Sequence, residues 1–159
     1  MEHAIRWHIK VNLDKDPSLY NRFKDRLEMI LNAYKENWEE IVKELSRLRE
    51  EMAVGRKDET EGISSVEAPF YDLLKGFLTT ENEVEINKTK ELSHNLMAML
   101  KETASINNFW TDRAAERRRI EGLVEDEIRY SRIEGISGKA TELATELMTL
   151  AKNREAELR

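Results

Sequence analysis

The sequence predicts an all-α fold: a multi-helix bundle of six or seven helices with one mobile internal loop. Three observations predict it. Apolar residues recur at steps of three and four along most of the chain. Glycine and proline, at six and two, are too scarce to punctuate strands and hairpins. Charged residues make up 36% against 40% hydrophobic, a balance that suits narrow apolar stripes on amphipathic helices. The 159 residues read as one helical interaction domain, 1–159, with or without a flexible joint.

The elements follow in order. Ile5, Ile9 and Leu13 form one stripe of a first short helix, with Trp7 and Val11 beside it. A Trp so close to an uncapped start suggests that this helix leaves a preceding domain. Asp16 can cap the next helix, with Pro17 at its first position, where a missing amide costs nothing. That helix carries Leu19, Tyr20, Phe23, Leu27, Ile30, Leu31 and Tyr34. A second long stretch begins near Asn37 with Trp38, Ile41, Val42, Leu45, Leu48 and Met52, separated from the first by a break or a bend at 35–37. Two such helices joined tightly form an antiparallel hairpin.

Residues 54–67 hold two glycines, many charges and no stripe, and read as the mobile loop. Ser64 or Ser65 can then cap a helix through Ala68, Phe70, Leu73, Leu74 and Phe77, with Pro69 in its first turn. Another helix starts between Glu83 and Asn87, runs through Leu92, Leu96, Met97, Met99 and Leu100, and ends before Asn107. Thr111 or Asp112 opens the next, which uses Ala115, Ile120, Leu123, Val124, Ile128 and Tyr130 and stops at Gly135. Ser137 can cap a last helix with Ala140, Leu143, Ala144, Leu147, Met148 and Leu150, leaving a frayed charged tail to Arg159. No side-chain pattern repeats at the period of a solenoid.

Composition excludes several chemistries. With no cysteine there is no disulfide scaffold, thiolate metal site or cysteine nucleophile, which suits a cytoplasmic location. No apolar run is long enough to span a membrane, and MEHAIRWHIK lacks the pattern of a signal peptide. Phosphate cradles of the GxxxxGK[ST] or GxGxxG kind are missing. The acids do not emerge in pairs from an apolar strand, where a nuclease would place them around a divalent ion. The expectation is no catalytic residue, no cofactor and no metal in this chain.

Three groups are candidate sites. Glu91 and His94 make a Glu-x-x-His step, but di-iron bundles need two such steps and two further glutamates, so a solvent-facing histidine is the expectation. Arg113, Arg117, Arg118 and Arg119 form a basic patch that could grip phosphates. Nearby acids, with i,i+4 pairs such as Arg117–Glu121, should absorb much of that charge. The formal net charge of −6 also opposes DNA affinity from the whole surface. Last, Phe70/Tyr71 and Phe109/Trp110 are adjacent aromatic pairs. One face cannot hide both members, so one ring of each should lie nearer a surface or a neighbouring helix, where aromatics serve as partner anchors. Trp7 and Trp38, at helical spacing, read as packing residues.

Four stretches carry a resemblance: MEHAIRWHIKVNLDKDPSLYNRFKDRLEMIL, NWEEIVKELSRL, EAPFYDLL and NNFWTDRAAERRRIEGLV. In order and spacing the chain resembles the C-terminal helical region of the restriction (motor) subunits of type I restriction–modification enzymes. That resemblance implies a larger parent subunit with a nuclease domain and two helicase-type ATPase domains, using ATP and Mg to translocate and cut duplex DNA. It implies a protein-docking role for this region, attaching the motor to the modification (methyltransferase) subunit. No catalytic motif of the family falls within the chain, so no catalytic residue is carried over. The alternative is a DNA-contacting helical module centred on Arg113 and Arg117 to Arg119.

Overall fold

Asp16 sets the first helix boundary through its own side chain: Oδ1 accepts the Leu19 amide at 3.1 Å, with Pro17 at the first helical position. The computed structural model describes residues 1–56, 59–60 and 62–159, with the backbone alone for Glu59 and Thr60. Among these residues there are nine α-helices, one 3-10 turn and two strands of two residues each. No helix among them is long and apolar enough to cross a membrane. The chain forms two compact units, Met1–Thr60 and Glu61–Arg159.

The first unit is built from α1 (Glu2–Asn12), α2 (Pro17–Ala33) and α3 (Trp38–Val54), with β1 (Glu59–Thr60) after them. The three helices bury single stripes: Ile5 and Ile9, then Phe23, Leu27 and Ile30, then Ile41, Leu45, Leu48 and Met52. Steps of three and four keep each stripe on one face, so the core is thin and the remaining faces stay charged. The stretch at 35–37 breaks the helix rather than bending it. The Tyr34 amide closes α2 on the Ile30 carbonyl, and Asn37 Oδ1 caps α3 by accepting the Glu40 amide at 3.3 Å. Arg26 meets Glu51 and Asp16 meets Arg56, so α2 and α3 run antiparallel. α3 ends at Gly55, whose φ of +66° few other residues adopt without strain.

The second unit comprises β2 (Ile63–Ser64), α4 (Ala68–Lys75), α5 (Glu83–Ala104), α6 (Phe109–Asp112), α7 (Ala114–Tyr130), the 3-10 turn Ser137–Lys139, α8 (Ala140–Asn153) and α9 (Glu155–Leu158). Its core gathers around α8, which buries Leu143, Ala144, Leu147, Met148, Leu150 and Ala151. The alanines let neighbours approach closely on more than one side. α7 packs along α8 through Ile120, Val124 and Ile128. Thr145 bonds Glu121 and Thr141 bonds Glu125, each at 2.8 Å, so these two helices are also antiparallel.

Several boundaries differ from the sequence expectation. Ser64 Oγ accepts the Glu67 amide at 3.2 Å, one residue ahead of α4, and so fixes the turn rather than capping the helix. α4 stops at Lys75 and leaves Phe77 outside it. Phe109–Asp112 form a separate helix after Asn108, which takes a left-handed φ of +57° that asparagine tolerates. α7 therefore opens at Ala114, not at Thr111 or Asp112, and it ends at Tyr130 rather than Gly135. Ser137 does not cap α8; its hydroxyl accepts the Ile133 amide at 2.9 Å and closes the preceding turn. The C-terminal tail is not frayed, since α9 turns Leu158 into the core at 5% exposure. The expected loop at 54–67 includes Lys57, Asp58 and Glu61, which lie outside the described residues.

Candidate docking surfaces

Of the four aromatic residues singled out from sequence, three are buried: Phe70, Tyr71 and Phe109. Contrary to the expectation that one ring of each adjacent pair lies nearer a surface, Phe70 and Tyr71 are both buried. α4 has only eight residues and is covered on more than one side, with Pro69, Phe70, Tyr71 and Leu74 all buried. At the second pair Phe109 is fully enclosed while Trp110 is partly exposed. Their rings meet edge to face, with centroids 4.8 Å apart at 87°, a favoured geometry for the ring quadrupoles. Helix breaks on both sides of the four-residue α6 allow that turn.

The arginine run is divided by its contacts. Arg117 does not pair with Glu121; its Nη1 donates to the Phe109 carbonyl at 2.7 Å, satisfying an oxygen left open where α6 ends. Arg119 pairs with Glu116 at 3.3 Å. Arg113 and Arg118 are exposed, and neither has an ion-pair partner among the described residues.

Packing α6 against the start of α7 unites two groups that the sequence reading kept apart. Trp110 lines the same groove as Ala114, Arg117, Arg118 and Glu121, the last four at the i, i+3, i+4, i+7 spacing of one helix face. The groove has a volume of about 440 Å³ and its far wall is α8. The Trp110 indole Nε1 is buried with no hydrogen-bond partner among the described residues.

His94 is exposed, as expected, but its neighbour is not Glu91. Its Nδ1 lies 3.0 Å from the carboxylate of Glu67, which is only 6% exposed and also accepts the Ser93 hydroxyl at 2.6 Å. Ser93 donates directly to the acid, and the imidazole does not stand between them. The trio therefore pins the start of α4 to α5 and has no arrangement for activating a nucleophile. Among the described residues no three His, Asp or Glu side chains gather as a metal set.

What the sequence reading missed lies in the first unit. Trp7 is 61% exposed and Trp38 75%, although both read as packing residues. Trp7 and Val11, four residues apart, share the outward face of α1. The signal was present: Trp7 sits two residues from both Ile5 and Ile9, about 200° around a helix, hence opposite the buried stripe. Trp38 has the angular position of a core residue. It occupies the first turn of α3, and burial on that helix begins only at Ile41.

A family model described as "Type I restriction enzyme HindI endonuclease subunit-like, C-terminal" covers residues 1–152. No curated protein and no solved structure matches the chain.

Proposed function

Because the chain belongs to the family of C-terminal domains of type I restriction enzyme HindI endonuclease subunit-like proteins, we propose that it is a protein-docking domain. In this reading it attaches an ATP-dependent DNA-translocating and cleaving subunit to the modification (methyltransferase) core. The chain itself does no chemistry; ATP and Mg serve the parent subunit.

The observation that carries the reading is the outward face of α1, where Trp7 stands 61% exposed beside Val11. An indole left in water forfeits the burial that stabilises a side chain of this size by about 1.5–3 kcal/mol. Covering it on assembly recovers that free energy, and tryptophan is among the residues that dominate interface energetics. Because α1 buries its opposite stripe inside the first unit, Trp7 can change without disturbing the core.

The test is titration calorimetry of the chain with purified modification subunit. Trp7→Ala should weaken binding about 30-fold, the equivalent of a hot spot of about 2 kcal/mol, with helical content unchanged. Tight binding that is indifferent to Trp7 removes this face from the interface. No binding by the unaltered chain rejects the docking role.

A second reading, a DNA-contacting module, is favoured by the exposure of Arg113 and Arg118. With Arg119 paired to Glu116 and one Arg117 N–H held by the Phe109 carbonyl, the patch offers phosphates three guanidinium charges, Arg113, Arg117 and Arg118.

A further inference from the structure

Charge in the groove between α6, α7 and α8 is one-sided. Arg117 and Arg118 on α7 face Lys152 on α8, and Glu121 is the one acid among the lining residues. The Glu121 carboxylate already accepts the Thr145 hydroxyl at 2.8 Å. Arg117 uses Nη1 on the Phe109 carbonyl, and the guanidinium has further N–H donors. Between these cations the floor is apolar, formed by the Trp110 ring and by Met148, which is 6% exposed. The indole Nε1 of Trp110 is itself buried, with no hydrogen-bond partner among the described residues, so its N–H signal reports on what packs against the ring. The complementary ligand therefore presents anionic acceptors beside one apolar side chain. A nucleic-acid backbone supplies the anions and leaves the apolar floor uncovered.

We propose that this groove receives an acidic segment of a protein partner, with an apolar side chain on Trp110 and Met148 and its flanking carboxylates on Arg118 and Lys152. The inference rests on the docking reading and adds the chemistry of the segment that is docked.

The experiment uses the whole chain, 15N-labelled, and follows the Trp110 indole N–H signal, assigned through Trp110→Phe. Three probes are titrated: a blocked five-residue peptide of aspartate and glutamate around one leucine, its lysine counterpart, and a short DNA duplex. The acidic peptide should shift the signal saturably, and the Arg118→Glu, Lys152→Glu double variant should weaken that binding at least tenfold. Both positions are exposed, and circular dichroism checks the fold. No saturable shift, a shift unchanged by the double variant, or a shift with DNA but not with the acidic peptide overturns the proposal. A parallel titration with modification subunit separates the two ideas. If the peptide binds the groove and the subunit does not bind the chain, the docking reading fails. If the subunit binds the double variant normally and the peptide does not bind, the groove assignment fails alone.

Discussion

Asp16 carries two roles with one carboxylate. It caps α2 and receives both Nε and Nη2 of Arg56, at 2.5 and 2.8 Å, while only 4% exposed. Its removal uncaps a helix and takes two hydrogen bonds from a guanidinium whose side chain is only 15% exposed. Asp16→Ala should therefore destabilise the first unit by about 2–4 kcal/mol, measured by urea unfolding. Asp16→Asn keeps the cap and should cost less. Gly135 is constrained by both conformation and space. Its φ is +85°, and an added Cβ would stand 2.1 Å from the Phe77 carbonyl oxygen. Gly135→Ala should cost about 3 kcal/mol, since the backbone must move as well as strain; an unchanged melting temperature would contradict this. Glu67 is a third such residue. Glu67→Ala leaves the fully buried Ser93 hydroxyl without its acceptor, a loss of about 1–3 kcal/mol.

Helices α1 and α2 are tied across their charged faces by Arg6, which bonds both Glu2 on its own helix and Glu28 on the next. The hydrogen bond from Arg6 is the main cause that holds the Glu28 carboxyl below its ordinary value, and the same contact raises Arg6. A carboxyl whose folded pKa is depressed contributes stability above its unfolded value, and that contribution is lost as pH falls through the folded value. The pair is exposed and screened by salt, so the effect is small. Thermal unfolding of the chain and of Arg6→Gln should differ most near about pH 7 and converge toward about pH 3. A difference that widens on acidification would contradict the assignment. At this scale the helices of eight residues or more were legible and those of four residues were not. α2, α3, α5 and α8 each advertise themselves through several turns of stripe. α6 has four residues, too few for any period to register, and its presence shifts the start of α7 to Ala114.

Among the described residues two apolar clusters form in place of one: Phe23 to Met52 with Ile5 and Ile9, and a larger one from Phe70 to Leu158. Stripes mark what is buried, but identical steps of three and four cannot say which stripes meet. The charge of −6 is also a property of the whole, with 32 acids against 26 basic residues. Three arginines without an acidic partner among the described residues, Arg113, Arg117 and Arg118, release few counterions, so fluorescence anisotropy with duplex DNA at physiological salt should show binding weaker than about micromolar. Micromolar binding abolished by reversing Arg113 and Arg118 would favour the DNA-contacting reading.

The sequence by itself determined the all-helical class, the Asp16–Pro17 and Asn37 boundaries, and the family, because periodicity, caps and motif order are local properties of the chain. Trp7 lies opposite Ile5 and Ile9 by its sequence spacing alone, but for the other aromatics tertiary structure decided which are displayed. Phe70, Tyr71 and Phe109 are covered because short helices are packed on several sides, whereas Trp38 stays open because it precedes the buried stretch of α3, which starts at Ile41. It also brought Trp110 to Arg118 and Lys152. Residues 110, 118 and 152 share no local pattern; they meet because α8 runs antiparallel to α7, and only packing sets that direction.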